Sequence, residues 1–299
     1  MIAPSATAFL WKIPLCGLVY AVTTLLSAAA FSGLAPELPP ALAEVGPALL
    51  LLRQLLAGML LALGLAVIAP GLRGRSLVRW AVLSGFVYVV HSATSAIEAH
   101  FFTTLEGMLS YMLPVAVAPS ALTALAVVKL FDAPPSEGRL VRDLESYVSG
   151  RPAYAWAWRL PAAVVAFPII YFAFGMMVRP FVLEVYLQRA DLRIPRVDLL
   201  LAIQLGRSLL LLSVTLPILI MWWGSRLRLW LSLGSAFFLL MGVIGLLQGD
   251  LFSMKLRLVH GVEILADSFV YAGALVLLLG GKGRPGTRDE KRKRSTDWR

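Results

Sequence analysis

His260, Glu263, Asp267 and Tyr271 recur at positions i, i+3, i+7 and i+11. That spacing lays them along one narrow helical face. They interrupt the apolar run "LRLVHGVEILADSFVYAGALVLLLGGK", Leu256 to Lys282. Imidazole and carboxylate groups in one place can pass protons, hold a cation or ligate a metal. A second run repeats the device: Tyr88, His91, Ser95 and Glu98 share a face. Two more apolar runs carry Arg53 with Gln54, and Gln204 with Arg207 and Ser208.

Such groups are costly in hydrocarbon. An Arg or Asp at the centre of a span costs about 2.5–3.5 kcal/mol on insertion scales. They must therefore face one another, the bundle interior or water. Counted inward from the ends poor in Lys and Arg, Arg53, His91, Arg207 and Asp267 fall roughly 9–14 Å deep. Glu98, His260 and Glu263 lie shallower. The opposite halves of these runs read as nearly pure Leu, Ala, Val and Ile. The expected site is thus Arg53, His91, Glu98, Gln204, Arg207, His260, Glu263 and Asp267, gathered in one leaflet.

The leading functional expectation is a transporter or permease-like protein for a small solute or ion. Arg53 and Arg207 would grip an anionic group or neutralise carboxylates. Glu98, Glu263 and Asp267 would carry protons or cations, and His91 and His260 titrate near neutral pH. Pro168, Pro180 and Pro217 would break helices beside a pathway. No cofactor is required by this reading. The alternative is a membrane-embedded hydrolase or lipid-modifying enzyme, with a divalent metal on His91, His260, Glu263 and Asp267. A haem between His91 and His260 is a variant of it. The sequence holds no HExxH, no paired-cysteine cluster and no phosphate-binding glycine loop, and its single Cys16 forms no internal disulfide. A third reading is a non-catalytic assembly protein whose charges only fix helix neighbours. His100 and Glu106 read as solvated groups near the surface.

The elements that must hold these residues are membrane helices. Hydrophobic residues make up 59% of the chain and charged residues 15%, with a mean hydropathy of +0.80. A soluble domain carries about 25% charged residues. Lipid offers the backbone no hydrogen bonds, so each long apolar run must be helical. The expected fold is an all-α polytopic bundle of about eight spans: 9–33, 47–70, 78–100, 107–130, 158–183, 198–222, 229–249 and 259–281. The first run also fits a signal peptide cleaved after "SAAA", before Phe31.

Lys and Arg set the orientation. One side holds Lys12, Arg73, Arg75, Arg79, Lys129, Arg139, Arg142, Arg151, Arg159, Arg226, Arg228 and the tail from Lys282. The other holds Arg189, Arg193, Arg196, Lys255 and Arg257. Both termini are expected in the cytoplasm, in a cell membrane. The formal net charge of +10 then calls for no nucleic acid. The tail anchors the inner face and rests on anionic lipid. Trp11, Trp80, Trp156, Trp158, Trp222, Trp223 and Trp230 fall at the same ends, where indoles favour headgroups; Phe31, Phe101, Phe102 and Tyr186 mark the other.

The chain divides into four regions: spans 1–4 over 1–130, a connector over 131–157, spans 5–8 over 158–281, and a basic disordered tail over 282–299. Within the connector, Leu140, Val141, Leu144, Tyr147 and Val148 are spaced as an amphipathic helix on the inner leaflet, with Ser136 as its N-cap and Gly150 as its stop. The halves also echo one another. "LRGRSLVRW" and "SRLRLW" bring Trp80 and Trp230 into register, where Gln54 meets Gln204 and Glu98 meets Gln248. Four spans per half would make the repeat parallel.

Overall fold

The computed structural model describes residues 6–36, 46–105, 107–131, 140–188, 192–248 and 253–281. Glu106, Ser136, Arg139, Arg189 and the tail 282–299 lie outside them, and the side chain of Tyr186 is likewise not described. The described residues form nine helices in chain order: α1 (Ala6–Ala30), α2 (Pro47–Ile68), α3 (Ser76–Phe102), α4 (Met108–Leu130), α5 (Leu140–Ser149), α6 (Ala153–Gln188), α7 (Val197–Met221), α8 (Arg226–Gln248) and α9 (Met254–Leu278). Eight of them, all but α5, are long and apolar enough to cross a membrane. The fold is an all-α bundle of transmembrane type.

Two of the expected boundaries move. α6 is 36 residues long and stays helical through Pro161, Pro168 and Pro180, as α7 does through Pro217. These prolines break nothing. Each removes one N–H, and neighbouring helices make such a loss tolerable in membrane helices. α9 begins at Met254 rather than at 259, capped by Ser253 Oγ accepting from the Leu256 N–H. Asp267 therefore lies about 20 Å along α9 at roughly 1.5 Å per residue, deeper than the sequence count placed it.

The two sets of four spans match element by element. Both α3 and α8 contain a π-helical turn, Tyr88–Ala93 and Phe238–Val243. α1 packs on α2 and α4 as α6 packs on α7 and α9. α3 lies on α4 as α8 lies on α9, and across the middle α3 meets α7 as α8 meets α2. Leu72 and Trp222 pair as an isolated antiparallel bridge. There the Arg73 N–H donates to Met221 O at 3.0 Å and the Trp223 N–H to Gly71 O at 2.7 Å. Matched residues thus exchange bonds across an approximate two-fold axis. Trp80 Nε1 donates to Ala121 O at 2.8 Å, and Trp230 Nε1 donates to Phe269 O at 2.7 Å. These part-buried indoles also tie neighbouring helices together, each N–H taking a backbone carbonyl as its acceptor.

The end that carries most of the Lys and Arg is knitted onto the C-terminus of α9. Arg159 Nη1 donates to Leu278 O, Arg151 Nη2 to Leu279 O and Gly280 O, and Arg226 to Gly280 O and Gly281 O. The Tyr147 hydroxyl of α5 donates to Leu279 O. A helix C-terminus leaves its last carbonyls unpaired and partly negative, so cationic donors suit it. Tyr147 thereby docks α5 while Val141, Leu144 and Val148 remain exposed. Arg79, expected as a surface anchor, is instead buried in the first turns of α3.

Candidate functional site

Arg207 is the centre of the polar set. It projects from the buried face of α7, and its side chain is only 5% exposed. Nη2 bonds Glu98 Oε1 of α3 at 2.6 Å, and Nη1 bonds Gln204 Oε1 at 3.2 Å. The guanidinium carbon stands 5.5 Å from the centre of the Phe167 ring on α6. Glu98 is the half-exposed end of the ion pair, at 46%. On α9, Asp267 lies within electrostatic reach of both Arg207 and Glu263. Glu263 is buried, accepts from His260 Nδ1 at 2.7 Å, and faces Gly175 of α6. The structure therefore bonds Glu98 and Gln204 to Arg207 and His260 to Glu263, with Asp267 in electrostatic reach of both groups, across α3, α7 and α9.

His91 does not join that chain. Its Nδ1–H donates to Leu240 O at 3.1 Å, and its Nε2 accepts from the Tyr20 hydroxyl at 3.3 Å. The imidazole thus joins α1, α3 and α8. The expectation that His91 and Glu98 share a face assumed a regular helix. The π turn at Tyr88–Ala93 adds a residue to the turn and rotates the remainder of α3 by about 100°. Arg53 sits half-buried on α2. Beside it Gln54 Oε1 accepts from Gln248 Nε2 at 3.4 Å, tying α2 to α8. Among the described residues no group of three or more His, Cys, Asp or Glu gathers as a metal site.

Around Arg207 several buried polar atoms lack a protein partner. They are Gln204 Nε2 and Arg207 Nε on α7, and Asp267 Oδ1 and Ser268 Oγ on α9. Ser208 and Tyr271 face each other across the gap between these helices. Buried polar atoms are nearly always bonded, to protein or to ordered water. A group of orphans on facing helices marks a place where something else completes the bonding. The sequence offered no signal for Phe167 or Ser268, since aromatic and serine residues in an apolar run read as packing. The halves poorest in predicted polarity also hold buried hydroxyls, Thr123 and Thr215.

The matched half shows what the scaffold needs and what it does not. Gln204 and Glu98 occupy the places that Gln54 and Gln248 occupy across the axis, so a neutral contact on one side answers a charged one on the other. Arg207 stands where α2 has Ala57, and Ser208 where α2 has Gly58. With Ala121 matched to Phe269 by the indole bonds, Val115 and Pro119 stand at the places of Glu263 and Asp267. The first half also closes more tightly. A Cβ on Gly58 would meet Tyr20 Cβ at 2.6 Å and Gly17 O at 2.8 Å. Lys12 donates to Leu130 O as Arg159 donates to Leu278 O, so Val164 stands at the place of Gly17 and Phe167 at that of Tyr20, and the α6–α7 contact is looser. That spacing leaves room for the guanidinium over the ring.

Toward the end opposite the basic one, a cleft of about 730 Å³ opens, lined by His100, Thr103, Thr104, Arg193 and Leu199 among others. Glu98 lies inward of His100 on α3, and Gln204 and Arg207 lie inward of Leu199 on α7. The cleft thus stands over the helix pair that carries the ion pair.

These features define a multi-pass α-helical membrane protein with an asymmetric polar layer between its helices. Comparison with protein-family models, with curated proteins and with solved structures finds no match.

Proposed function

We propose that the protein is a permease-like transporter of a small solute or ion, with Glu98, Gln204, Arg207, His260, Glu263 and Asp267 as its binding site. The observation that carries this reading is the group of buried polar atoms without protein partners on facing sides of α7 and α9. A purely structural charge network satisfies its members, because each orphan costs about 1–3 kcal/mol. The asymmetry of the halves points the same way. The first half reaches the same helix arrangement without these charges, so the arrangement does not demand them. Ionisable groups inside a membrane bundle are functional by default. A cleft bordered by Arg193 and His100 opens at the ends of α3 and α7, the helices that carry Glu98 and Arg207. On the positive-inside argument, the basic end faces the cytoplasm and the cleft faces outward.

The direct pairing of Arg207 with Glu98 at 2.6 Å also suits a structural reading, in which the charges merely fix neighbours. Flux separates the two. Purified protein in proteoliposomes is assayed for electrogenic uptake with a panel of small anions, cations and zwitterions. The permease reading expects uptake of at least one class, abolished in Arg207→Ala. No flux with any class, together with full recovery of stability when Glu98 and Arg207 are both made neutral, would establish the structural reading instead.

A further inference from the structure

We infer that Asp267 holds an exchangeable proton, shared along α9 with Glu263, and that this proton is a ligand of the protein in its own right. Three carboxylates occupy the layer: Glu98, Glu263 and Asp267. Glu98 takes the guanidinium of Arg207 at 2.6 Å. Glu263 takes the imidazole of His260 at 2.7 Å. Asp267 is left with no ion pair among the described residues, and its Oδ1 is buried without a hydrogen-bond partner. It stands one helical turn from Glu263, close enough for the two charges to repel.

Among the described residues, the surroundings supply Asp267 with no further cation. α6 packs on this stretch with Phe167 and Gly175, and its Arg179 is exposed. The π turn of α8, Phe238–Val243, has no ionisable side chain. α7 brings Arg207, already bonded to Glu98 and Gln204, and α9 itself adds Tyr271, whose hydroxyl faces Ser208. Two carboxylates one turn apart on the same helix face resist being ionised together, since each disfavours the other's charge. A proton removes that conflict and needs no cavity. Protonated Asp267 also gains a donor O–H, which the buried hydroxyls of Ser268 and Tyr271 and the carboxylate of Glu263 can accept. Gln204 Nε2, fully buried and unpartnered beside Arg207, is a second sign that the layer is built for a guest rather than for closure. The counterpart position in the first half is Pro119, so the proton site is single rather than paired about the axis.

The proton site stands independently of the permease reading; only its use as the coupling ion rests on it. Infrared difference spectroscopy of the full-length protein in lipid tests the site directly, with H₂O and D₂O as the only probes. At neutral pH the wild type should show a protonated carboxylic C=O band that shifts in D₂O. The band should fall to background in Asp267→Asn and persist at wild-type intensity in Asp198→Asn, an exposed carboxylate at the start of α7. Should Asp267→Asn fail to fold, Asp267→Glu should move the band to a new frequency. A wild type without the band, or a band unchanged in both Asp267 variants, overturns the inference. If the band behaves as expected while no flux is driven by any solute, the permease reading fails and the proton site survives.

Discussion

Arg207 is held by three different interactions, and each has a separate consequence. Removing Glu98 leaves a guanidinium in the bundle with only an amide and a ring as partners. Breaking a fully buried pair costs about 3–5 kcal/mol. Glu98 is 46% exposed, so Glu98→Gln should cost less, on the order of 2 kcal/mol. It should appear as a lower midpoint in thermal unfolding in detergent, and Glu98→Gln with Arg207→Gln should regain part of the loss. His91 makes a different prediction. Its two ring nitrogens join α1 and α8. His91→Phe should remove the bonds to the Leu240 carbonyl and the Tyr20 hydroxyl at about 1–3 kcal/mol in all, again read by thermal unfolding. A midpoint unchanged from wild type would contradict that bridging role.

Among the elements, the π turns and α5 show most clearly what the sequence disclosed and what it hid. The long apolar runs gave the helices, and the intramembrane charges gave most of the layer, because both signals are strong and local. The π turns left no such mark. "YVVHSA" and "FLLMGV" look like ordinary helix, so the shared face of His91 and Glu98 was inferred wrongly. α5 was legible from Leu144, Tyr147 and Val148, but its anchoring to Leu279 depends on a residue far away in the chain. Burial at that dock raises the pKa of Tyr147 above the ordinary phenol value, against the lowering effect of Arg151. The phenol is therefore stabilised in its protonated, donating form. That contribution is fully present below the ordinary value and disappears as pH climbs through the raised one. An alkaline step in α5 docking, followed by fluorescence of nearby Trp156, should vanish in Tyr147→Phe. The glycine crossing of α1 and α2 yields a sharper test. Gly58→Leu would drive a side chain into Tyr20 and the Gly17 carbonyl and should abolish the folded yield. Ser208→Ala at the matched position of α7 should be tolerated.

At the scale of the whole molecule, two similar sets of four spans pack about an approximate two-fold axis, and the charges break that symmetry. The sequence showed the echo only faintly, through Trp80 and Trp230 and a pair of glutamines, because packing contacts and carbonyl acceptors leave little trace in residue type. Once the halves are superposed by their indole bonds, Ala57, Val115 and Pro119 mark the places where Arg207, Glu263 and Asp267 were free to differ. On this account the second half keeps the scaffold and opens it at Val164 and Ser208, the places of Gly17 and Gly58. The central claim is that the layer between α7 and α9 is reached by water from the cleft, rather than sealed. Thiol accessibility tests it most directly, against a background in which the chain's one cysteine, Cys16, is buried. Ser268→Cys in proteoliposomes should react with a small hydrophilic thiol reagent, and more slowly when a transported solute is present. A Cys at 268 that reacts only after the protein is unfolded would mean a dry, closed layer and would contradict the account.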